Sequence, residues 1–488
     1  SDEKLSPLLT PYKNKEISAE ELQELRQKLT EYYVANGYVN SGAIIPDQEV
    51  KDGFIYLRII EGRLAKVAIS GNSWLKKRYV SSRLQIAAKD GKTPLNVNEL
   101  QQQLQLLKQD PLIDNINASL SPGLELGEAL LDVEVKEARP YNIGLAFNNY
   151  KSPSIGAYRG ELTLSHMNLT GWGDALNLQY ALTQGLDEYS ANYTVPLYGK
   201  GTTLGIGADR SESVVVAEPF DFLDIDSSTK TYSIELNHPF YKNLSREFAM
   251  GLRFEKRESK TSLLGEGFAF SKGVEPDGKS EISVFRFSQQ WTDRSLEQVI
   301  AARSTFNLGM DIGGATINES DPDGKFFFWL GQFQWLRRLS FIDSQLLMKT
   351  DLRLSADPLL PMEKFEIGGS SSVRGYRENQ ITSDNGITAS AELRVALMDL
   401  KIPYLSEKPG DGLLQICPFF DFGHAWNTDE PDPEDNTIYS SGLGLRWSVN
   451  KRINASIYWG WAWKDIEGAS DYDLQDDGFH FQIRALLF

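Results

Sequence analysis

Two stretches of this sequence carry residue types that could do chemistry, and the first fails on context. Gly273-Val274-Glu275-Pro276-Asp277-Gly278-Lys279-Ser280 matches the phosphate-binding loop pattern letter for letter. Such a loop needs a strand before it and a helix after it, so that backbone N–H groups and the helix N-terminus cradle phosphate. Ile282–Ser288 instead continues as strand, so no nucleotide site is expected. The second stretch is Gly368-Gly369-Ser370-Ser371-Ser372-Val373-Arg374-Gly375-Tyr376, which sets one arginine in a glycine-rich segment. A guanidinium's planar fork can engage a carboxylate at two points. Asp421, in Phe419-Phe420-Asp421-Phe422-Gly423, is a carboxylate of strand parity opposite to Phe420 and Phe422. It faces the interior of a barrel if they face lipid. Glu392 and Arg394 are likewise opposite in parity to Leu393 and Val395, and are candidates to join the same network.

Other reactive groups are scattered. His166, His238, His424 and His480 show no HExxH or ligand spacing, so no metal site is expected. A single cysteine, Cys417, rules out an internal disulfide and a cysteine-rich metal site. No GxSxG element or other nucleophile setting occurs, so neither an enzyme nor a cofactor is expected. The acidic runs Asp429, Glu430, Asp432, Glu434, Asp435 and Asp465, Glu467, Asp471, Asp473, Asp476, Asp477 could hold divalent cations. Without a fixed order of ligands they read as solvated surface.

The elements that position these residues fall in two zones. A chain of 488 residues is longer than one ordinary domain needs. Its net charge of −17 argues against nucleic acid as a partner. No run of 18 apolar residues is present, so no membrane-spanning helix is proposed. Ser1 follows no signal-like apolar segment, and the chain reads as a mature or trimmed form. Over 1–140 the pattern is mixed α/β. Ser18 and Glu21 form a capping box ahead of Leu22, Leu25, Leu29 and Tyr33, and Gly37 ends that helix. Strands follow at Tyr38–Ile45, Phe54–Ile60 and Leu64–Ser70. A helix is predicted from Trp74, another over Asn96–Lys108, and strands over Leu112–Leu120 and Leu130–Glu137.

From Tyr141 the period becomes 2 and remains so. Sixteen alternating segments can be marked, each of the ~10 residues a tilted membrane strand requires. Their connections alternate. Short turns such as Asn168–Gly173, Pro196–Gly201 and Val449–Arg452 lie on one side. Long loops such as Glu212–Thr229, Ser259–Ser280 and Pro358–Gly386 lie on the other. With 10 Trp, 20 Tyr and 24 Phe for aromatic girdles, this is the asymmetry of an outer-membrane barrel.

The VRGY element in the loop after the eleventh strand, with Asp421 two strands later, is similar to the TpsB transporters of two-partner secretion. These ShlB/FhaC-like proteins belong to the Omp85 superfamily, which also contains the BamA-type barrel-assembly proteins. Residues 18–138 resemble two POTRA domains, including Gly37-Tyr38-Val39 and Glu61-Gly62-Arg63, and Asn168–Asp174 and Tyr193–Leu197 look like early barrel turns of the family. The resemblance implies a fold of α+β POTRA domains followed by an all-β transmembrane barrel of 16 antiparallel strands. The expected domains are a first POTRA over 1–63 lacking its opening strand, a second over 64–140, and a barrel over 141–488 with loop 358–386 folded inward.

In that family the loop arginine meets an acidic residue on the inner wall. The resemblance therefore makes Val373, Arg374, Gly375 and Tyr376 a lock, with Asp421 as its lumen partner and Glu392 and Arg394 beside it. It implies a monomer in the bacterial outer membrane, among lipid and lipopolysaccharide, with its POTRA domains in the periplasm. There they would take an unfolded TpsA-like exoprotein for export through the barrel without ATP. An insertase of the same superfamily is the alternative, although that class usually has more POTRA domains. A passive porin explains neither the POTRA pair nor VRGY, and adhesion by the acidic loops is a weaker reading. TpsB transporters often carry an N-terminal plug helix, but residues 1–17, with Pro7 and Pro11, are expected to form none. The final Phe488 resembles the C-terminal signal of such barrels, but Phe479, Phe481, Ile483 and Leu487 have the opposite parity, so either a bulge intervenes or the match to that signal is imperfect.

Overall fold

The computed structural model describes residues 2–88, 93–340, 343–466 and 471–487. They form two compact units: Ser1–Pro140 with Asn168–Gly173 and Tyr198–Lys200, and the remainder of the chain from Tyr141.

In the first unit, helix α1 (Asp2–Leu9) contradicts the expectation of no helix over residues 1–17. Pro7 removes one backbone donor, yet Leu5, Leu8 and Leu9 pack on Leu25 and Leu29, and that burial outweighs local propensity. Helix α2 (Ala19–Ala35) starts on the predicted box: Ser18 Oγ accepts from Glu21 N at 3.1 Å, and Ser18 N donates to Glu21 Oε2 at 2.9 Å. It ends at Gly37, whose φ of 88° lets Tyr38 N reach the Tyr33 carbonyl at 2.9 Å. Strands β1 (Gly42–Ile44) and β2 (Arg58–Ile60) pair with each other.

Strand β3 (Arg63–Ser70) runs parallel to β5 (Glu128–Glu137), and β4 (Ile113–Pro122) is antiparallel to β5 on its other side. Helices α3 (Lys77–Ala88) and α4 (Val97–Lys108) lie on this sheet. The core of this part is Val80, Leu84, Leu95, Leu100, Leu107, Val133 and Val135, all buried. Asn96 caps α4 by accepting from Asn98 N at 2.9 Å.

Helix α3 starts at Lys77 rather than at the predicted Trp74, and Glu137 supplies the reason. Its carboxylate accepts from the backbone N–H groups of Ser73, Trp74 and Leu75 at 2.8 to 2.9 Å, which holds that segment as a turn. Hydrogen bonds to a charged group contribute about 1.5–3 kcal/mol. Glu137→Ala is therefore expected to destabilise this sheet–helix layer by about that amount. Hydrogen exchange at residues 73–75 in the intact chain should speed up, and native protection in the variant would refute the assignment.

The second unit is a closed antiparallel barrel of sixteen long strands. The first seven are β6 (Tyr141–Asn148), β7 (Arg159–His166), β8 (Ala175–Leu182), β9 (Leu186–Tyr198), β10 (Thr202–Val214), β11 (Asp226–Lys242) and β12 (Arg246–Leu263). A two-residue offshoot, β13 (Glu266–Gly267), pairs with the end of β12. The wall continues through β14 (Lys279–Arg294), β15 (Gln298–Gly309), β16 (Phe327–Leu339) and β17 (Ser344–Ser355). Inside the next connection lie β18 (Phe365–Ile367) and β19 (Ile381–Ser383), which pair with each other. The last five wall strands are β20 (Asn385–Asp399), β21 (Leu413–Trp426), β22 (Thr437–Ser448), β23 (Ile453–Ala462) and β24 (Phe479–Leu486). Pairing of β24 with β6, from Gln482↔Asn148 to Leu486↔Gly144, closes the wall.

Turns 243–245, 295–297 and 449–452 are short, and connections 264–278, 310–326 and 356–384 are long. Connections 183–185 and 400–412 break that alternation. Several strands extend further than the sequence pattern suggests. β11 has 17 residues and β12 has 18, and the polar segments read as loop continue the ladder, with Ser227 opposite Thr261 and Ser259 opposite Ser280. Backbone pairing outlasts the apolar face, because a strand beyond lipid needs no outward hydrophobic residues. Pro196, read as the start of a turn, lies within β9, and the long loop runs 356–384 rather than 358–386.

Side chains sort by parity. Leu252, Phe287, Trp291, Phe306, Met348 and Phe420 project outward and are exposed, forming the apolar belt a bilayer requires. In the segment that resembles a phosphate loop, β14 begins at Lys279, where a phosphate site would need a helix, and the Lys279 ammonium is paired with Glu281. Phe488 lies outside the described residues.

Candidate functional site

Strand register brings the site together from below. β20 and β21 pair so that Ser390 stands opposite Asp421 and Glu392 opposite Phe419. Along β21 every second side chain (Cys417, Phe419, Asp421) is buried, whereas Phe420 is 50% exposed. Asp421 thus points into the lumen, with Glu392 on the neighbouring strand pointing the same way.

The 356–384 connection enters the lumen as a hairpin of its own, β18 against β19, with the VRGY residues at its far end. Gly368 and Gly369 take φ values of 116° and 88°, and the turn closes when Gly368 N donates to Ser372 Oγ at 2.9 Å and Gly369 N to the Val373 carbonyl at 3.0 Å. Val373 is fully buried among Ile367, Ile381, Ala425 and Ile438. The Tyr376 hydroxyl reaches the carbonyls of Tyr439 and Lys464 at 3.1 and 3.0 Å.

Arg374, 7% exposed, engages Asp421 at both carboxylate oxygens: Nε to Oδ2 at 2.8 Å and Nη2 to Oδ1 at 2.9 Å. Its backbone N–H adds a third bond to Asp421 at 3.1 Å. Nη1 donates to Glu392 and Nη2 to Ser390 Oγ at 3.2 Å. Arg394 turns back onto Glu392 at 2.7 Å. The guanidinium also lies over Phe419, 3.7 Å from the ring centroid, and 4.7 Å from that of Tyr458. The four loop residues and Asp421, Glu392 and Arg394 therefore converge at one place.

Ser390, Phe419 and Tyr458 complete this cage and were not singled out from the sequence. Nor was a second tie of the same loop. Glu378 accepts from Ser370 N at 2.7 Å, its own N–H donates to Gln475 Oε1 at 2.9 Å, and Gln475 donates to the carbonyls of Asn149 and Lys151. Arg377 forks onto Asp476 in the loop before β24. Burial acts to raise the Asp476 pKa and the Arg377 hydrogen bond to lower it. The net shift is downward, which keeps the carboxylate charged at neutral pH.

A cavity of about 370 Å³ remains beside the loop tip, lined by Arg303, Lys349, Asp351, Ser371, Ser372 and Ser390 among others. Trp291 and Phe333 also line it, so the space is of mixed polarity. Among the described residues no cluster of His, Cys, Asp and Glu could hold a metal ion.

Residues 127–447 match the profile of the haemolysin secretion/activation proteins ShlB/FhaC/HecB, and residues 1–62 match that of the ShlB-type POTRA domain. The chain is 21% identical over 465 residues to the outer membrane transporter CdiB of Dickeya dadantii, covering 93% of this chain and 79% of that one. It is 27% identical over 481 residues to the heme/hemopexin transporter protein HuxB of Haemophilus influenzae, covering 93% and 80%. Its structure is similar to that of CdiB from Escherichia coli, with a TM-score of 0.74 at 19% identity over all of this chain and 88% of that one. BamA from Haemophilus ducreyi lacking POTRA domains 1–3 has a TM-score of 0.60 at 15% identity, covering 100% and 97%. At those identities the likeness is one of fold.

Proposed function

Because the chain belongs to the ShlB/FhaC/HecB family of haemolysin secretion/activation proteins, we propose that it exports one unfolded partner polypeptide through its own barrel. It is an outer-membrane transporter of the TpsB type, in the Omp85 superfamily, with POTRA domains in the periplasm. In this reading 1–63 and 64–140 act as two POTRA domains and 141–488 as the pore. A TpsA-like exoprotein meets the POTRA strand edges, where an extended chain can add its own backbone hydrogen bonds, and the helix–strand grooves take its apolar side chains. It then threads the polar lumen and folds outside, which favours forward movement without ATP. The chain works as a monomer, with its apolar belt in lipid and lipopolysaccharide.

The observation that carries this reading is the loop held inside the barrel by Arg374 on Asp421. A passive pore has no use for a desolvated arginine–carboxylate fork across its own channel. The lock must yield for cargo to pass. In cells expressing the partner exoprotein, the exoprotein is expected in the medium with this chain and in the periplasm without it. Equal release in both refutes export. A general fall in unrelated outer-membrane proteins on depletion would instead favour the insertase.

A further inference from the structure

The long loop is tied to the wall at a further place, near its start. Leu359 and Leu360 are fully buried with Ile282, Val284, Phe326 and Phe328 in one apolar cluster. A few residues on, Glu363 closes a short helical turn, Pro361–Glu363, and is 4% exposed. Arg286 of β14 donates to both of its carboxylate oxygens, at 2.7 and 3.1 Å. Arg257 of β12 lies 3.3 Å from the same carboxylate and donates to the Met362 carbonyl at 2.7 Å. Arg353 of β17 donates to the carbonyl of Glu363 itself. Glu255 sits behind the two wall arginines, 2.7 Å from Arg257 and 3.3 Å from Arg286.

The polarity is the reverse of the lock at the tip. There the loop brings a cation to wall carboxylates, and here it brings a carboxylate to wall cations. Without the Glu363 carboxylate, Arg257 and Arg286 would be left to share Glu255, which Arg253 also contacts at 3.1 Å. Like charges brought this close on largely buried side chains repel strongly.

We propose that Glu363 is a second latch, which holds the base of the loop to β12 and β14 while Arg374 holds its tip to β20 and β21, so that the passage opens fully only when both release. Glu363 is thus a positioning residue for the loop. The inference rests on the reading of that loop as a gate, and its test needs no cargo. Releasing one end leaves the loop tethered across the lumen by the other, so each single release should open the channel little.

The test is the ion conductance of the purified full chain in planar lipid bilayers, comparing Glu363→Gln, Arg374→Ala and the double variant. The double variant is expected to exceed the summed open fractions of the single ones by roughly tenfold or more, because the two latches act on one equilibrium. A double variant no more open than Arg374→Ala alone overturns the proposal. Glu363→Arg should raise the open fraction, and adding Arg286→Glu should lower it again; absence of that rescue also overturns it. Retention of heat-modifiable migration on gels identifies the variants with an assembled barrel. If the latches behave as expected while every variant secretes cargo normally, the export role of the loop fails and the second latch stands.

Discussion

Arg374→Ala should leave the barrel assembled yet cut export to a small fraction of the native level, with little rise in ion leak while Glu363 still holds the base of the loop. The pair it removes is desolvated: Asp421 is fully buried and Glu392 is 4% exposed. Removing one member of a buried pair costs roughly 3–5 kcal/mol, because the remaining charge is left without compensation. Here two carboxylates are left, and only Glu392 keeps a partner cation in Arg394. At about 1.4 kcal/mol per decade, such a loss is two decades or more in the ratio of held to released loop. The wall itself is secured by backbone pairing of β20 with β21 and of β21 with β22, which the substitution does not touch. Export suffers because a loop that no longer has one seated position obstructs the passage at random. Arg374→Lys is expected to behave almost as badly. An ammonium is a point charge and cannot fork onto both Asp421 oxygens while also reaching Glu392 and Ser390. Normal secretion by either variant, at equal barrel content, would sink the lock.

How much of this was legible beforehand depends on how far apart the cooperating residues lie. Local rules found the capping box of Ser18 and Glu21 and the αL turn at Gly37, because their partners are within a few residues. Period-2 alternation likewise placed Asp421 opposite in parity to Phe420, and so inside. Helix α1 was missed because Pro7 argues against it locally, while Leu25 and Leu29 on another helix argue for it. The local pattern starts a helix at Trp74 because Glu137, which holds that segment as a turn, lies 63 residues away. The cage around Arg374 needed the register itself, since only that pairing sets Ser390 across from Asp421. Glu378 and Gln475, 97 residues apart, left no spacing signal. The structure shows why Gly369 is glycine: a side chain there would strike the Glu378 carboxylate, 2.2 Å from its added carbon.

Gly460→Ala is the second large effect expected, and it tests the seat of the loop without touching any charge. Gly460 belongs to β23, on the inner face of the wall, and a methyl group there would stand 2.7 Å from Gly375 N and 2.8 Å from Gly375 Cα. Both are backbone atoms, so no side chain can swing aside. The fit is mutual: Gly375 holds a φ of 92°, and a carbon added to it would fall 2.8 Å from the Gly460 carbonyl. Gly478 closes the third side, with its carbonyl accepting from Gly460 N at 2.9 Å. The wall is fixed by pairing with β22 and β24, so the loop must give way, and Arg374 is the residue next to the displaced one. Overpacking of this kind typically costs about 1–3 kcal/mol. Export should therefore fall, less severely than in Arg374→Ala, with the barrel intact and ion leak changed little. Gly160→Ala is the matched control: Gly160 is also a wall glycine, on β7, and a methyl group there meets nothing within 4 Å. It should be indistinguishable from the native chain. Equal behaviour of the two alanine variants would mean that the loop does not rest against Gly460 in the membrane, because a seated loop cannot tolerate that methyl group in place.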